Sequence, residues 1–168
     1  MNHSLVKELE PIADALATAH QQLLRAIDNL SEQELRVPFP GRDWSIHDTL
    51  AHLAANEALM TKLAEAITEG EHTNLPDDFD NDRFNAESVA ARRNKPTPEI
   101  RQEIDRNQQG LSGFLSRVKR EQLERRGTHP LQGELTLREF LTVMYSHRVM
   151  HTRDIVEQMR RLQRNEIG

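Results

Sequence analysis

Four stretches of this chain repeat apolar residues every three or four positions, a rhythm that commits most of the sequence to amphipathic helices. The first covers about residues 4–29, with Leu5, Leu9, Ile12, Leu16, Leu23 and Ile27 on one stripe. The second follows Ser45, where Ser45-x-x-Asp48 forms a capping-box pattern with Asp in the usual Glu place. It runs through Ile46, Leu50, Leu53, Met60, Ala64 and Ile67 and stops at Gly70. The third opens at Thr97-Pro98-Glu99, read as an N-cap followed by proline at the first helical position, and carries Ile100, Ile104, Leu111, Leu115 and Val118. The fourth opens with the capping box Thr136-x-x-Glu139 and continues through Leu137, Phe140, Leu141, Met144, Ile155, Met159 and Leu162. Four helices with one apolar stripe each bury those stripes against one another, so the expected fold is all-α, a four-helix bundle. One domain over residues 1–168 accommodates it. Aromatic residues make up only 4% of the chain, and turn residues cluster in a few places, which excludes an all-β fold.

The connections differ in character. Residues 31–44 and 119–135 each carry a short turn containing Glu-Gln and then pass through Pro and Gly to a capped helix, a weak internal repeat of two helical hairpins. Residues 70–96 form a long crossover between the second and third helices, with Pro76, an acidic run and a short helix at about 85–93. A connection of that length in a compact domain often carries function and is placed to rim a site. Residues 162–168 read as a tail.

Composition removes whole classes of function. With no Cys there are no disulfides, zinc ribbons, iron–sulfur clusters or protein thiol nucleophiles. No apolar run approaches the roughly 20 residues of a membrane span. The N-terminal residues carry charges where a signal peptide needs an apolar stretch, so a cytoplasmic protein without a membrane partner is expected. A net charge of -5 lacks the basic footprint of a nucleic-acid binder. The local cluster of Arg92, Arg93 and Lys95 reads as a solvated face.

The chemistry lies in the histidines. His147 and His151 are spaced i, i+4 on the apolar stripe itself, in the series Phe140, Met144, His147, His151, Ile155. Two imidazoles aimed into a bundle interior must find partners, because an unpaired buried polar ring costs about 1–3 kcal/mol. A metal ion satisfies both at once, and His52, beside Leu53 on the second helix, is the candidate third ligand. Three neutral imidazoles leave one coordination position open, the layout of a catalytic site, and suit Zn, Ni, Fe or Cu. The competing reading is that these are hydrogen-bonded core histidines. A zinc-protease motif is excluded because Arg148 stands where the general-base Glu is required. Asp78-x-Asp80-x-Asp82 begins like a calcium loop, but Arg83 takes the Gly position and Val89 the bidentate Glu position.

The segments GRDWSIHDTLAHLAANE and YSHRVMHTRDI resemble the DinB-like four-helix-bundle superfamily, whose relatives include the N-terminal domain of mycothiol-dependent maleylpyruvate isomerase. The resemblance spans the chain from the first helix to about residue 160. It implies a metal triad at His52, His147 and His151 holding a divalent transition metal such as Zn, Ni or Fe. His147 matches the DinB branch, whereas Asp154, three residues after His151, matches the isomerase branch. The implied activity is that of a metal-dependent thiol transferase or isomerase acting on a small electrophile, with a low-molecular-weight thiol as cosubstrate because the chain has no Cys. Metal-hydroxide hydrolysis is the alternative chemistry. A non-catalytic bundle that sequesters a small ligand, with a structural metal or none, is the competing function. The 168 residues hold no equivalent of the isomerase's second domain, so maleylpyruvate isomerisation itself is not expected. The family resemblance also admits a homodimer through exposed helix faces.

Among other polar residues, Asp154 and Glu57 are the candidate catalytic groups. Asp154 would orient a ligand, and Glu57, on the stripe between Leu53 and Met60, would act in proton transfer. Asn56 is placed to face the pocket and His20 to flank the seam. Trp44 reads as a core plug at the bundle end rather than a stacking platform. His3, His47, His72 and His129 form no usable pattern.

Overall fold

Helices form where the stripes predict them, and their ends are fixed by the residues that cap them. The computed structural model describes residues 5–71, 75–76 and 78–164, so His3, His72 and most of the expected tail lie outside the described residues. After a 3-10 turn at Lys7–Leu9, α1 spans Glu10–Ile27 with Pro11 in its first turn. Proline is tolerated there and nowhere deeper, which is why the helix starts six residues later than the apolar pattern does. The short α2, Glu32–Leu35, has a complete capping box between Ser31 and Glu34. The expected Ser45–Asp48 box starts α3, Ile46–Glu69, which stops at Gly70 in the left-handed region (φ 75°). The crossover helix α4 spans Asn81–Arg92, capped by Asp80, so it begins about four residues before the expected position. α5 spans Thr97–Leu115, and α6 spans Leu137–Gln163 behind the Thr136–Glu139 box.

One expectation is corrected. Thr97 is not the N-cap of α5. It is the first helical residue, behind Pro96, and its backbone N–H and hydroxyl both donate to the Glu32 carboxylate at 3.3 and 2.9 Å. A side chain from α2 thus supplies the acceptor that a local cap would have provided. The all-α bundle stands, and one short β-hairpin joins it that periodicity did not show. β1 (Arg126–His129) and β2 (Gly133–Thr136) pair antiparallel, with His129 opposite Gly133. Gly133 takes φ 74°, the left-handed closing residue that a three-residue hairpin loop demands. The earlier connection has only a single bridge, Pro38 to Ser45, so the suspected repeat is at most a shared outline.

The four long helices are α1, α3, α5 and α6. Contacts between α3 and α5 run in the same order along both: His47 meets Thr97, the Ala54 carbonyl accepts from Asn107, and the Thr68 carbonyl accepts from Gln122 just past α5. These two helices are therefore parallel neighbours. α1 and α6 pack on each other and are also parallel: Leu9, Ile12 and Leu16 share one core cluster with Leu137, Phe140 and Leu141, while Leu23 and Ile27 share the other with Ile155. The order is up-down-down-up. Parallel neighbours need a return path, which explains the long crossover: α4 runs back along α3. The two apolar clusters are separated by a buried polar layer to which α1 contributes His20, α3 contributes His52 and Glu57, and α6 contributes Arg148.

Candidate metal centre

α3 and α6 place His52, His147 and His151 together in that layer. His52 Nε2 lies 3.0 Å from His147 Nε2, and His151 Nε2 lies 3.2 Å from the same atom. One ligand atom from each ring falls within 4.8 Å of the others, so the three form a group able to hold a metal ion. A tetrahedral ion with bonds of 2.0–2.1 Å would set its ligand nitrogens about 3.3 Å apart, close to these spacings. Burial, reinforced by the charge each ring would place on its neighbours, holds all three histidines down to about 4. At neutral pH they are uncharged, as ligands must be.

The triad forms part of the wall of a cavity of about 630 Å³, within the usual range for small-molecule sites. Met60, Val143 and Met144 give it apolar surface, and Leu131 and Met150 stand at its edge, 69% and 51% exposed. Asn56 lines it, as its spacing from His52 suggested. Trp44 corrects its expectation in part: it packs on the core cluster of Leu23, Ile27 and Ile155 but is only partly buried, lines the cavity, and lies 5.2 Å from the His52 ring, centroid to centroid.

Asp154 and Glu57 stay outside the cavity. Asp154 pairs with Arg42 at 3.1 Å on the far side of His151, where its charge partly offsets the lowering of that ring's pKa. Glu57 is buried on the seam, but both its oxygens accept from Arg148, one from Nε and one from Nη2. Arg148 is 1% exposed, and its Nη1 also donates to His20 Nδ1 at 3.3 Å; His20 Nε2 in turn donates to Asp105 at 3.0 Å. A bidentate carboxylate in a closed ion pair is not free to accept a substrate proton. His20 therefore belongs to this network and not to the cavity. The expected solvated cluster is also engaged: Arg92 and Lys95 converge on Glu103 at 2.8 and 2.7 Å, and Arg36 donates to the carbonyls of Arg93 and Lys95.

Among the cavity residues that escape sequence reasoning, two act on the triad's rings. His129 is brought in by β1, and its Nδ1 accepts the backbone N–H groups of Leu131 and Gln132 at 3.1 and 3.3 Å. Asn85, on α4, acts on the His52 ring in the direction of the protonated form, although the Asn85 Oδ1 and His52 Nδ1 atoms are both buried without a hydrogen-bond partner. Neither residue belongs to a periodic motif, and each reaches the triad only through a connection whose path periodicity does not encode. His47 was equally unreadable, and serves structure: its Nδ1 lies 2.8 Å from Thr97 Oγ1.

A helical bundle with three converging, uncharged histidines beside a cavity defines the class. The sequence profile of the DinB superfamily matches residues 15–155, and the chain belongs to that superfamily. Its fold is that of YfiT from Bacillus subtilis, described as a probable metal-dependent hydrolase with an unusual four-helix bundle topology (TM-score 0.76, 20% identity, covering 95% of this chain and 91% of that one). Mycothiol-dependent maleylpyruvate isomerase is similar over 88% of this chain but only 60% of its own length, at TM-score 0.74 and 13% identity. An uncharacterised protein from Clostridium difficile 630 matches with TM-score 0.73 at 12% identity, over 95% of this chain and 98% of that one. Among curated proteins, none matches the sequence. No described helix is long and apolar enough to cross a membrane.

Proposed function

We propose that the protein is a metal-dependent enzyme that uses a small external thiol to attack a small electrophile, with His52, His147 and His151 as the metal ligands. The observation that carries this reading is the convergence of three neutral Nε2 atoms on one another, away from backbone acceptors, at the wall of a cavity. A divalent transition metal held there would supply a positive charge that lowers the pKa of a nucleophile reaching its open side. The donor set suits Zn, Ni or Fe.

The choice of nucleophile rests on what the chain does not offer. Among the described residues, no Asp, Glu, Lys or Arg lines the cavity. His129 is not a base either, because its Nδ1 lone pair is taken by two backbone donors and its proton therefore sits on Nε2. A nucleophile that ionises with little help is favoured, and a thiol near pKa 8.5 meets that condition better than water near 15.7. Having no Cys, the chain takes the sulfur from a cosubstrate. Asp154, outside the cavity, acts as a positioning group through His151, and Glu57 holds the bundle together through Arg148.

Elemental analysis of untagged protein tests the metal, beside His52→Ala and His147→Ala. One metal per chain, lost in both variants, supports the triad; absence of metal even after incubation with Zn, Ni or Fe overturns it. Metal-loaded protein is then given 1-chloro-2,4-dinitrobenzene with and without N-acetylcysteine, and p-nitrophenyl acetate without thiol. Thiol-dependent turnover supports the transferase reading, whereas thiol-independent ester cleavage alone would make the protein a hydrolase.

A further inference from the structure

The cavity is built for an uncharged occupant. Apart from the triad and His129, its polar side chains are amides and hydroxyls, from Asn56, Asn81, Asn85, Gln132, Thr142 and Ser146, set among apolar surface. The two exposed large apolar side chains among the described residues, Leu131 and Met150, both border this one opening. An apolar rim of this kind on an otherwise polar surface marks a place where an apolar body is taken out of water. His129 adds direction. Its Nδ1 is occupied by the backbone of its own hairpin loop, so the ring is locked in the tautomer that keeps its remaining hydrogen on Nε2, as a donor. Edge-on packing against Phe140, 5.1 Å between centroids, holds the ring in place.

From these features we infer that the substrate is an uncharged, largely apolar molecule bearing a carbonyl-type acceptor, which His129 and the cavity amides orient toward the triad. The inference rests on reading the cavity as the substrate side of the metal centre. A bound metal would answer the charge of one nucleophile, but no described side chain of the wall is a Lys or Arg that could pair with an anionic substrate body. An anion there would lose its hydration without meeting a counter-charge. The chain's net charge of -5 adds to that exclusion.

A matched pair of fluorescent probes tests this: N-phenyl-1-naphthylamine, which is neutral, and its sulfonate, 8-anilinonaphthalene-1-sulfonate. Titrations use the full chain, metal-free and then zinc-loaded. The neutral probe is expected to bind metal-free protein at least about tenfold more tightly than the sulfonate. Ser146→Lys, at an exposed position on the cavity wall, adds a cation and should shrink that ratio severalfold without unfolding the chain. His129→Phe keeps the ring volume and removes the donor. It should weaken binding of a ketone analogue, 2-acetylnaphthalene, in competition with the neutral probe, while leaving naphthalene itself unaffected. Equal or tighter binding of the sulfonate, binding of neither probe, a Ser146→Lys ratio like the parent's, or indifference of the ketone to His129→Phe would each overturn the inference. Because the decisive titration needs no metal, a protein that refuses zinc yet prefers the neutral probe would sink the metalloenzyme reading and leave the uncharged, apolar occupant of the cavity standing.

Discussion

Two neighbouring residues of α6 face two buried polar systems that solve the same problem in opposite ways. His147 points to the triad, where three uncharged rings meet nitrogen to nitrogen beside a cavity. Arg148, one position and about 100° further round the helix, enters a closed network in which Glu57 answers its charge on two oxygens and His20 passes the chain of bonds to Asp105. The network ties all four long helices together and leaves no described room for a ligand. The triad joins only two helices and has lone pairs to spare. Buried polarity that is satisfied internally is structural, whereas buried polarity left without an internal answer is available for chemistry.

The largest effect should come from breaking the closed side. Arg148→Met alone strands the Glu57 carboxylate and should cost about 3–5 kcal/mol in urea unfolding, while Arg148→Met with Glu57→Leu should recover most of that loss. If the double variant is no more stable than the single one, the closed network is not the self-contained unit described here.

The open side should reveal itself through pH. The native triad rings titrate near 4, below the ordinary value of 6.5, so between those values the unfolded chain binds more protons than the native one. The triad's contribution to the stability of the metal-free protein is therefore fully present above about pH 6.5 and is lost as pH drops through 4. One ring moved from 6.5 to about 4 accounts for on the order of 3 kcal/mol, so His147→Ala should flatten the acid limb of a stability–pH curve by about that much. An unchanged slope would place the acid sensitivity elsewhere.

Zinc sharpens the contrast further. At a free concentration about 100 times its dissociation constant, the ion should add roughly 2.7 kcal/mol, read as a rise in Tm of roughly 5–10 °C. His52→Ala should abolish that rise, and Glu57→Gln, although destabilised, should keep it. The smallest effect is expected at Asn85. Replacing it with Ala removes the one amide that favours the His52 proton and should weaken zinc binding about tenfold by titration, with little change in metal-free stability.

Much of this was legible in the chain. The Ser45–Asp48 and Thr136–Glu139 boxes and the Gly70 stop are local hydrogen-bonding devices, and all three appear as written. The level of the polar layer was also visible, because three of the four stripes are broken: at His20 between Leu16 and Leu23, at Glu57 between Leu53 and Met60, and at His147 to His151 between Met144 and Ile155. Periodicity gives the direction in which a side chain leaves its helix, and that was enough to bring His52 to His147. It does not say which helix waits on the other side. Glu57 was therefore correctly placed on the seam and joined to the wrong neighbours, and Thr97 was given a local capping role although its acceptor is Glu32.

By itself, then, the sequence determined the helices, their caps, the apolar stripes and the candidate ligands, since all of these follow from interactions within a few residues. Only the tertiary structure decided that α3 and α5 run parallel, that the crossover must climb back along α3, and that a hairpin carries His129 to the cavity. It also decided which buried groups neutralise each other. Arg148 and Glu57 are 91 positions apart, and His52 and His147 are 95 apart. Pairings at such separations depend on the relative height and rotation of whole helices, which are set by the packing of all the stripes together.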